Sequence, residues 1–137
     1  MAQAVGKKAQ ESLFTGSFSS FSVDSLDEAK EFYGKTLGVA VTETEEGLQL
    51  DVGESDPVFI YPKVDHEPAT FTVLNLSVDD IDDAVDELTD RGITFESYEG
   101  EMETDEKAIF RGADNGNGPN IAWFKDPAGN FISVIEN

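Results

Sequence analysis

A ten-residue segment occurs twice in this chain, and that repetition limits the possible folds more than any other feature. Ser22-Val23-Asp24-Ser25-Leu26-Asp27-Glu28-Ala29-Lys30-Glu31 aligns with Ser77-Val78-Asp79-Asp80-Ile81-Asp82-Asp83-Ala84-Val85-Asp86, 55 residues further on. Five of the ten positions are identical, and three more exchange Leu for Ile or Glu for Asp. Two copies of one supersecondary unit therefore fill the chain. Each copy follows an alternating apolar stretch, Phe18–Val23 or Phe71–Val78. A period of two is that of a strand with one face on a core.

The repeated segment then changes period. Leu26, Ala29, Phe32 and Tyr33 share one helical face in the first copy, and Ile81, Ala84, Val85 and Leu88 do so in the second. Ser25 followed by Glu28 makes a capping box, and acids crowd both first turns, where the helix dipole favours them. Gly92 stops the second helix, and the first is expected to end near Tyr33-Gly34. Three short strands follow each helix: Val39–Glu45, Gly47–Val52 and Pro57–Pro62, then Ile93–Tyr98, Asn120–Lys125 and Asn130–Ile135. Asp126-Pro127-Ala128-Gly129-Asn130 is a tight turn between the last two. The long connection 99–119 reads as a lid or a disordered loop, with Lys107–Arg111 as a short extra strand inside it. The expected organisation is an arm over 1–13 and two β-α-β-β-β modules, 14–66 and 67–137, in one domain.

Charge and residue usage exclude several functions. The chain has 29 acidic and 9 basic residues, a net charge of −20, no cysteine and a single histidine, His66. Without cysteine there is no disulfide, thiolate metal site or cysteine nucleophile. A field this negative repels phosphate backbones and anionic lipid, so neither nucleic acid nor membrane is an expected partner. No apolar run reaches the ~18 residues of a membrane span, and residues 1–12 lack the apolar stretch of a secretory signal. A cytoplasmic location is expected. Ten Phe and a Trp supply a core, so the acids read as the coat of a folded, halophilic-type protein rather than as a sign of disorder.

Two such modules, with a V-D-[DS]-[LI]-D-x-A helix start in both, resemble the vicinal oxygen chelate superfamily of glyoxalases, bleomycin resistance proteins and extradiol dioxygenases. Trp123-Phe124-Lys125-Asp126-Pro127-Ala128-Gly129-Asn130 is similar to its closing W-F-x-D-P-x-G-N hairpin, and Phe32-Tyr33 with Leu37-Gly38 to its F-Y…L-G run. The resemblance implies an α+β fold: tandem βαβββ modules forming a cupped, half-barrel mixed sheet with helices on the convex face. It also implies a homodimer. Metal-using members place ligands at positions that fall here on Phe18, Val73, Ser133 and Ile60, or Tyr61 one residue on. None offers an imidazole or carboxylate, so no metal and no cofactor are expected. His66 lies in the linker Lys63–Pro68 and reads as an exposed loop histidine, which leaves the serines of the first strand without a base.

The remaining candidates line a cup. Ser20 and Ser22 share the inward parity of Phe18, Asn75 and Ser77 that of Val73, and Phe131 and Ile135 flank Ser133. Trp123, Tyr61 and Tyr98 are stacking surfaces at its mouth, and Arg111 in the long loop is placed to meet a ligand anion or local glutamates. An apolar cup with a few polar groups suits a small organic molecule. Three functions stay open: a metal-free binding protein, a glyoxalase-like lyase or isomerase that recruits a metal through other ligands or uses a loop glutamate such as Glu99 or Glu103 as base, and an interaction module whose cup is filled.

Self-repulsion among uncompensated acids is relieved by salt. The melting temperature is expected to rise clearly between dilute buffer and molar KCl, and a flat or falling value would remove the halophilic reading.

Overall fold

The computed structural model describes residues 13–137. Eight strands form two four-stranded sheets of matching order, β1-β4-β3-β2 and β5-β8-β7-β6. The first holds β1 (Ser19–Val23), β2 (Ala40–Glu43), β3 (Leu48–Asp51) and β4 (Val58–Pro62); the second holds β5 (Thr72–Val78), β6 (Phe110–Arg111), β7 (Asn120–Lys125) and β8 (Phe131–Glu136). In each, the first strand runs parallel to the last, and the other pairings are antiparallel. This is the α+β fold of tandem modules that the repeat implies. The arm expected over 1–13 lies outside the described residues except for Leu13, which is exposed.

The amphipathic helices occupy one face of the sheets. Helix α1 (Leu26–Lys30) starts at Ser25, whose Oγ accepts from the Glu28 amide at 3.2 Å. Helix α2 (Ile81–Asp90) starts at Asp80, whose carboxyl accepts from Asp83 N at 3.0 Å. Ala29, Ile81, Val85 and Leu88 join Phe21, Val23, Leu48, Leu50, Ile60, Phe124, Ile132 and Val134 in one contiguous core drawn from both modules. The alternate residues of every strand face away from the helices.

Three sequence expectations need correction. The first helix does not stop near Gly34 but continues as a π-helix over Glu31–Thr36, with Leu37 N donating to Phe32 O. Its last carbonyls find a donor in the other module: Arg91 Nη1 binds Thr36 O at 3.1 Å and Leu37 O at 3.2 Å. Residues 93–98 form no strand, only a bridge from Phe95 to Phe124. The free edge of β7 is shared, with Phe95 covering one end and β6 the other, so β6 is shorter than the Lys107–Arg111 strand expected. The connection 99–119 is an ordered structure built around Asp105. Its carboxyl accepts from the amides of Lys107 and Ile109, each at 2.9 Å, and from Arg111 Nε at 2.8 Å. Arg111 also forks onto both oxygens of Asp82 at 2.8 and 3.1 Å, and Lys107 reaches Asp82 and Asp86. The loop is thus clamped to the outer face of α2.

The modules are joined through the Asp126–Asn130 turn. Asp126 is only 4% exposed, yet both its carboxyl oxygens are satisfied. One accepts from the amides of Ala128 and Asn130, the other from Asn130 Nδ2 and from the hydroxyl of Tyr33 at 2.7 Å. Tyr33 belongs to the first module and has no exposed surface. Burial first, then the Asp126 charge and hydrogen bond, push its phenol far above the usual range. Asn130 Nδ2 also donates to Ser22 O at 2.9 Å. Gly129 turns this corner at φ +87, a conformation that favours glycine, with Pro68 of the linker against it.

Two outcomes follow from these contacts. Tyr33→Phe leaves an Asp126 oxygen short of a buried donor and should cost about 1–3 kcal/mol in urea unfolding with an unchanged m-value; a loss below about 0.5 kcal/mol would contradict the tie. Hydrogen bonds from Arg111 and then Lys107 hold the Asp82 carboxyl at about 2, below its ordinary 3.8. Its folded value is depressed, so its contribution to stability is present above about pH 4 and is lost as pH falls toward about 2. In Arg111→Met the NMR titration midpoint of Asp82 should move up toward 3.8, and a midpoint unmoved from wild type would show that Arg111 does not hold it.

Candidate functional site

Strand register sorts the residues onto two faces. In the first sheet Phe21 is level with Ile60, and both are buried under the helices. Ser20 is level with Phe59 and Ser22 with Tyr61, on the open, concave face. In the second sheet Asn75, Ser133 and Trp123 form one cross-strand row on that face, with Ser77, Ile135 and Ile121 in the next. Thr72, Phe131 and Lys125 form a third.

The concave face of the second sheet holds an aromatic hollow of about 230 Å³ lined by Thr70, Phe71, Thr72, Tyr98, Met102, Trp123 and Phe131. Tyr98 meets Trp123 edge-on, ring centres 5.6 Å apart, and Lys125 Nζ stands 5.2 Å over the Phe131 ring. Thr104 holds Tyr98 in place, accepting from its amide through Oγ1 at 2.9 Å and donating to its carbonyl through N at 3.0 Å. The short turn Gly100–Met102 between them brings Met102 to the rim. Phe71 is 67% exposed. Tyr98 is the one ionisable group in the lining, and burial, then Glu96, push its phenol above the usual range. A second apolar hollow, about 260 Å³, lies on the first module and is lined by Phe18, Glu46, Gln49, Pro57, Val58 and Phe59. Gly47 lets its hairpin close, because a Cβ there would stand 2.0 Å from Ile60 O.

The sequence candidates separate accordingly. Trp123, Phe131 and Tyr98 meet in the aromatic hollow, and Phe18 borders the other. Ser20, Tyr61, Asn75 and Ser77 occupy the concave face outside both linings. Ser133 is on that face but fully buried, donating to Asn75 Oδ1 at 2.5 Å, so it presents no surface to a ligand. Ile60 is displaced: it is level with Phe21 in the core, and Tyr61 faces the cup instead. Val73 is displaced as well, because a bulge between Thr72 and Leu74 breaks the alternation, so Val73 packs on the core and Thr72 takes the concave position beside Phe131. Arg111 is committed to Asp82 and Asp105 on the helix side, which removes it from the cup. Glu99 and Glu103 are exposed and absent from the aromatic lining.

His66 is not an exposed loop residue. It is half-buried, with Nδ1 2.7 Å from Ser22 Oγ and Nε2 3.0 Å from Ala128 O, so it bridges β1 and the Asp126–Asn130 turn. Thr70, Phe71, Thr72, Met102 and Phe59 were missed. Phe59 was within reach, since it shares the parity of Tyr61; the bulge that turns Thr72 inward leaves no mark in the sequence. The four positions to which the resemblance assigns metal ligands hold an exposed Phe, a core-packed Val, a buried Ser and either Ile60 or Tyr61, a donor set that does not fit a divalent ion. Among the described residues no group of three or more His, Cys, Asp or Glu is placed to hold one.

A family model described as the Glyoxalase/Bleomycin resistance protein/Dioxygenase superfamily matches residues 18–134. No curated protein matches the chain. Solved structures do. A member of the same superfamily from Sphaerobacter thermophilus is 23% identical, with a TM-score of 0.62, covering 90% of this chain and 98% of its own. An antibiotic binding protein from Streptomyces sp. CB03234 is 22% identical, TM-score 0.63, with coverage of 91% and 98%. A glyoxalase family protein from Enterococcus faecalis is 20% identical, TM-score 0.60, with coverage of 85% and 93%. At these identities the likeness is one of fold.

Proposed function

This chain belongs to the glyoxalase/bleomycin resistance protein/dioxygenase superfamily, and we propose that it is a metal-free member that binds a small organic molecule with an aromatic or other apolar surface on its concave face. One observation carries this reading: the aromatic hollow is lined by rings, a thioether and two threonines, with no carboxyl or imidazole, and the Lys125 ammonium is engaged over the Phe131 ring. Proton abstraction needs a base within reach of the substrate. The lining supplies only a phenol pushed above its usual range. Stacking surfaces with few polar groups favour binding over turnover. The fold is compatible with that role, since one similar structure is an antibiotic binding protein.

The size of the hollow supports a second element of the proposal. At about 230 Å³ it is below the ~300–1,000 Å³ that encloses a drug-sized molecule. Phe71 and Phe18, 67% and 69% exposed, stand at the borders of the two hollows. A second copy of the chain covering these rings would enlarge the site, so we read the binding unit as a homodimer. The acidic coat is read as an adaptation to high salt in the cytoplasm.

Titration with planar aromatic and glycopeptide compounds should quench Trp123 and raise the melting temperature, by about 2.7 kcal/mol of stabilisation at a hundredfold excess over Kd. Trp123 is the only tryptophan, so the signal reports this hollow. Phe131→Ala should weaken binding at least about tenfold, a loss near 1.4 kcal/mol. No response from any compound would favour the interaction-module reading. A stoichiometric divalent ion retained through dialysis would overturn the metal-free assignment.

A further inference from the structure

The histidine that the sequence left in a linker stands beside a serine. Ser22 Oγ on β1 is 2.7 Å from His66 Nδ1, and His66 Nε2 is 3.0 Å from Ala128 O in the turn between β7 and β8. A carbonyl oxygen only accepts, so Nε2 carries the hydrogen of the second bond. In the neutral ring this leaves the Nδ1 lone pair for the Ser22 hydroxyl, which donates. A nucleophile, a base within hydrogen-bond reach and a third group that fixes the base are the components of serine activation. The Ala128 carbonyl takes the orienting place that a carboxylate holds in a Ser-His-Asp triad.

The three groups come from distant parts of the chain, and the contacts around them hold the geometry. Asn130 Nδ2 donates to Ser22 O, and Asp126 fixes the Ala128 amide. Ser22 and His66 are both half-buried. Ser22 faces the open side of the first sheet, level with Tyr61 and two residues from the exposed Ser20. None of these groups lines the aromatic hollow.

We propose that Ser22 is a nucleophile activated by His66 and accepts an acyl group from an activated ester. Ser22 Oγ bonds to the ester carbonyl carbon while its proton passes to His66 Nδ1. Collapse of the tetrahedral adduct breaks the bond to the leaving oxygen, which departs with its electron pair, and His66 returns the proton to that oxygen or to water. A water molecule then hydrolyses the acyl-serine by the same route, releasing the acid.

The full chain is treated with p-nitrophenyl acetate and, separately, with a fluorophosphonate, and the adducts are mapped by peptide mass. The expected result is acetyl and phosphonyl groups on Ser22, lost in Ser22→Ala. His66→Gln should slow the labelling roughly 100-fold or more; its fold is checked by melting temperature and Trp123 emission. Wild-type protein with no adduct on Ser22, or with label confined to lysines, overturns the proposal whether or not His66→Gln folds. So does a folded His66→Gln that labels at the wild-type rate. The aromatic-ligand titration is a separate readout, so failure here leaves the binding reading unaffected.

Discussion

The structure depends on how a buried carboxyl group is satisfied. Asp126 lies in a five-residue turn of the second module with almost no exposed surface, where an oxygen without donors would carry a penalty of kilocalories. Its own turn supplies the Ala128 and Asn130 amides and the Asn130 side chain, and the first module supplies the Tyr33 hydroxyl. The turn keeps its shape because Asp126 organises it, and it docks because Tyr33 completes Asp126. Asn130 to Ser22 O and His66 to Ala128 O then fasten the same corner to β1 and the linker. Arg91 adds a tie at the helix ends, from α2 to the close of the π-helix.

This fastening decides what the concave face becomes. With helices and core on one side, the strands turn Ser20, Ser22, Phe59, Tyr61, Asn75 and Trp123 to the other. The chain's two arginines, its most persistent cations, are both spent on structure: Arg91 on helix-end carbonyls and Arg111 on acids of α2 and the long loop. Neither arginine reaches the aromatic hollow, whose lining carries no charged side chain within a strongly acidic molecule.

Most of the fold was legible from the repeat. A ten-residue copy with its alternating strand before it and 3.6-residue periodicity within it specifies two equal modules, and the turn residues place most strands. Legibility failed where tertiary contact overrode local pattern. The π-helix ends on carbonyls met by Arg91, distant in sequence, and residues 93–98 keep only a bridge to β7, whose other end pairs with β6. The lining of the aromatic hollow was legible by parity for Phe131 and by aromatic character for Trp123 and Tyr98, but not across the bulge that exchanges Val73 for Thr72. Arg111 and His66 illustrate a general limit. Sequence shows that such a side chain exists, whereas its partners Asp82, Ser22 and Ala128 emerge only from the packing.

Through the Asp126 corner the two repeated modules become one cooperative unit. Native-state hydrogen exchange under increasing denaturant tests it most directly, because cooperative units appear as amides that merge into a common opening free energy. The amides of Leu50 and Ile60 in the first sheet and of Ile132 and Val134 in the second should converge on one value, equal to the global unfolding free energy. Two separate plateaus, one for each sheet, would contradict it.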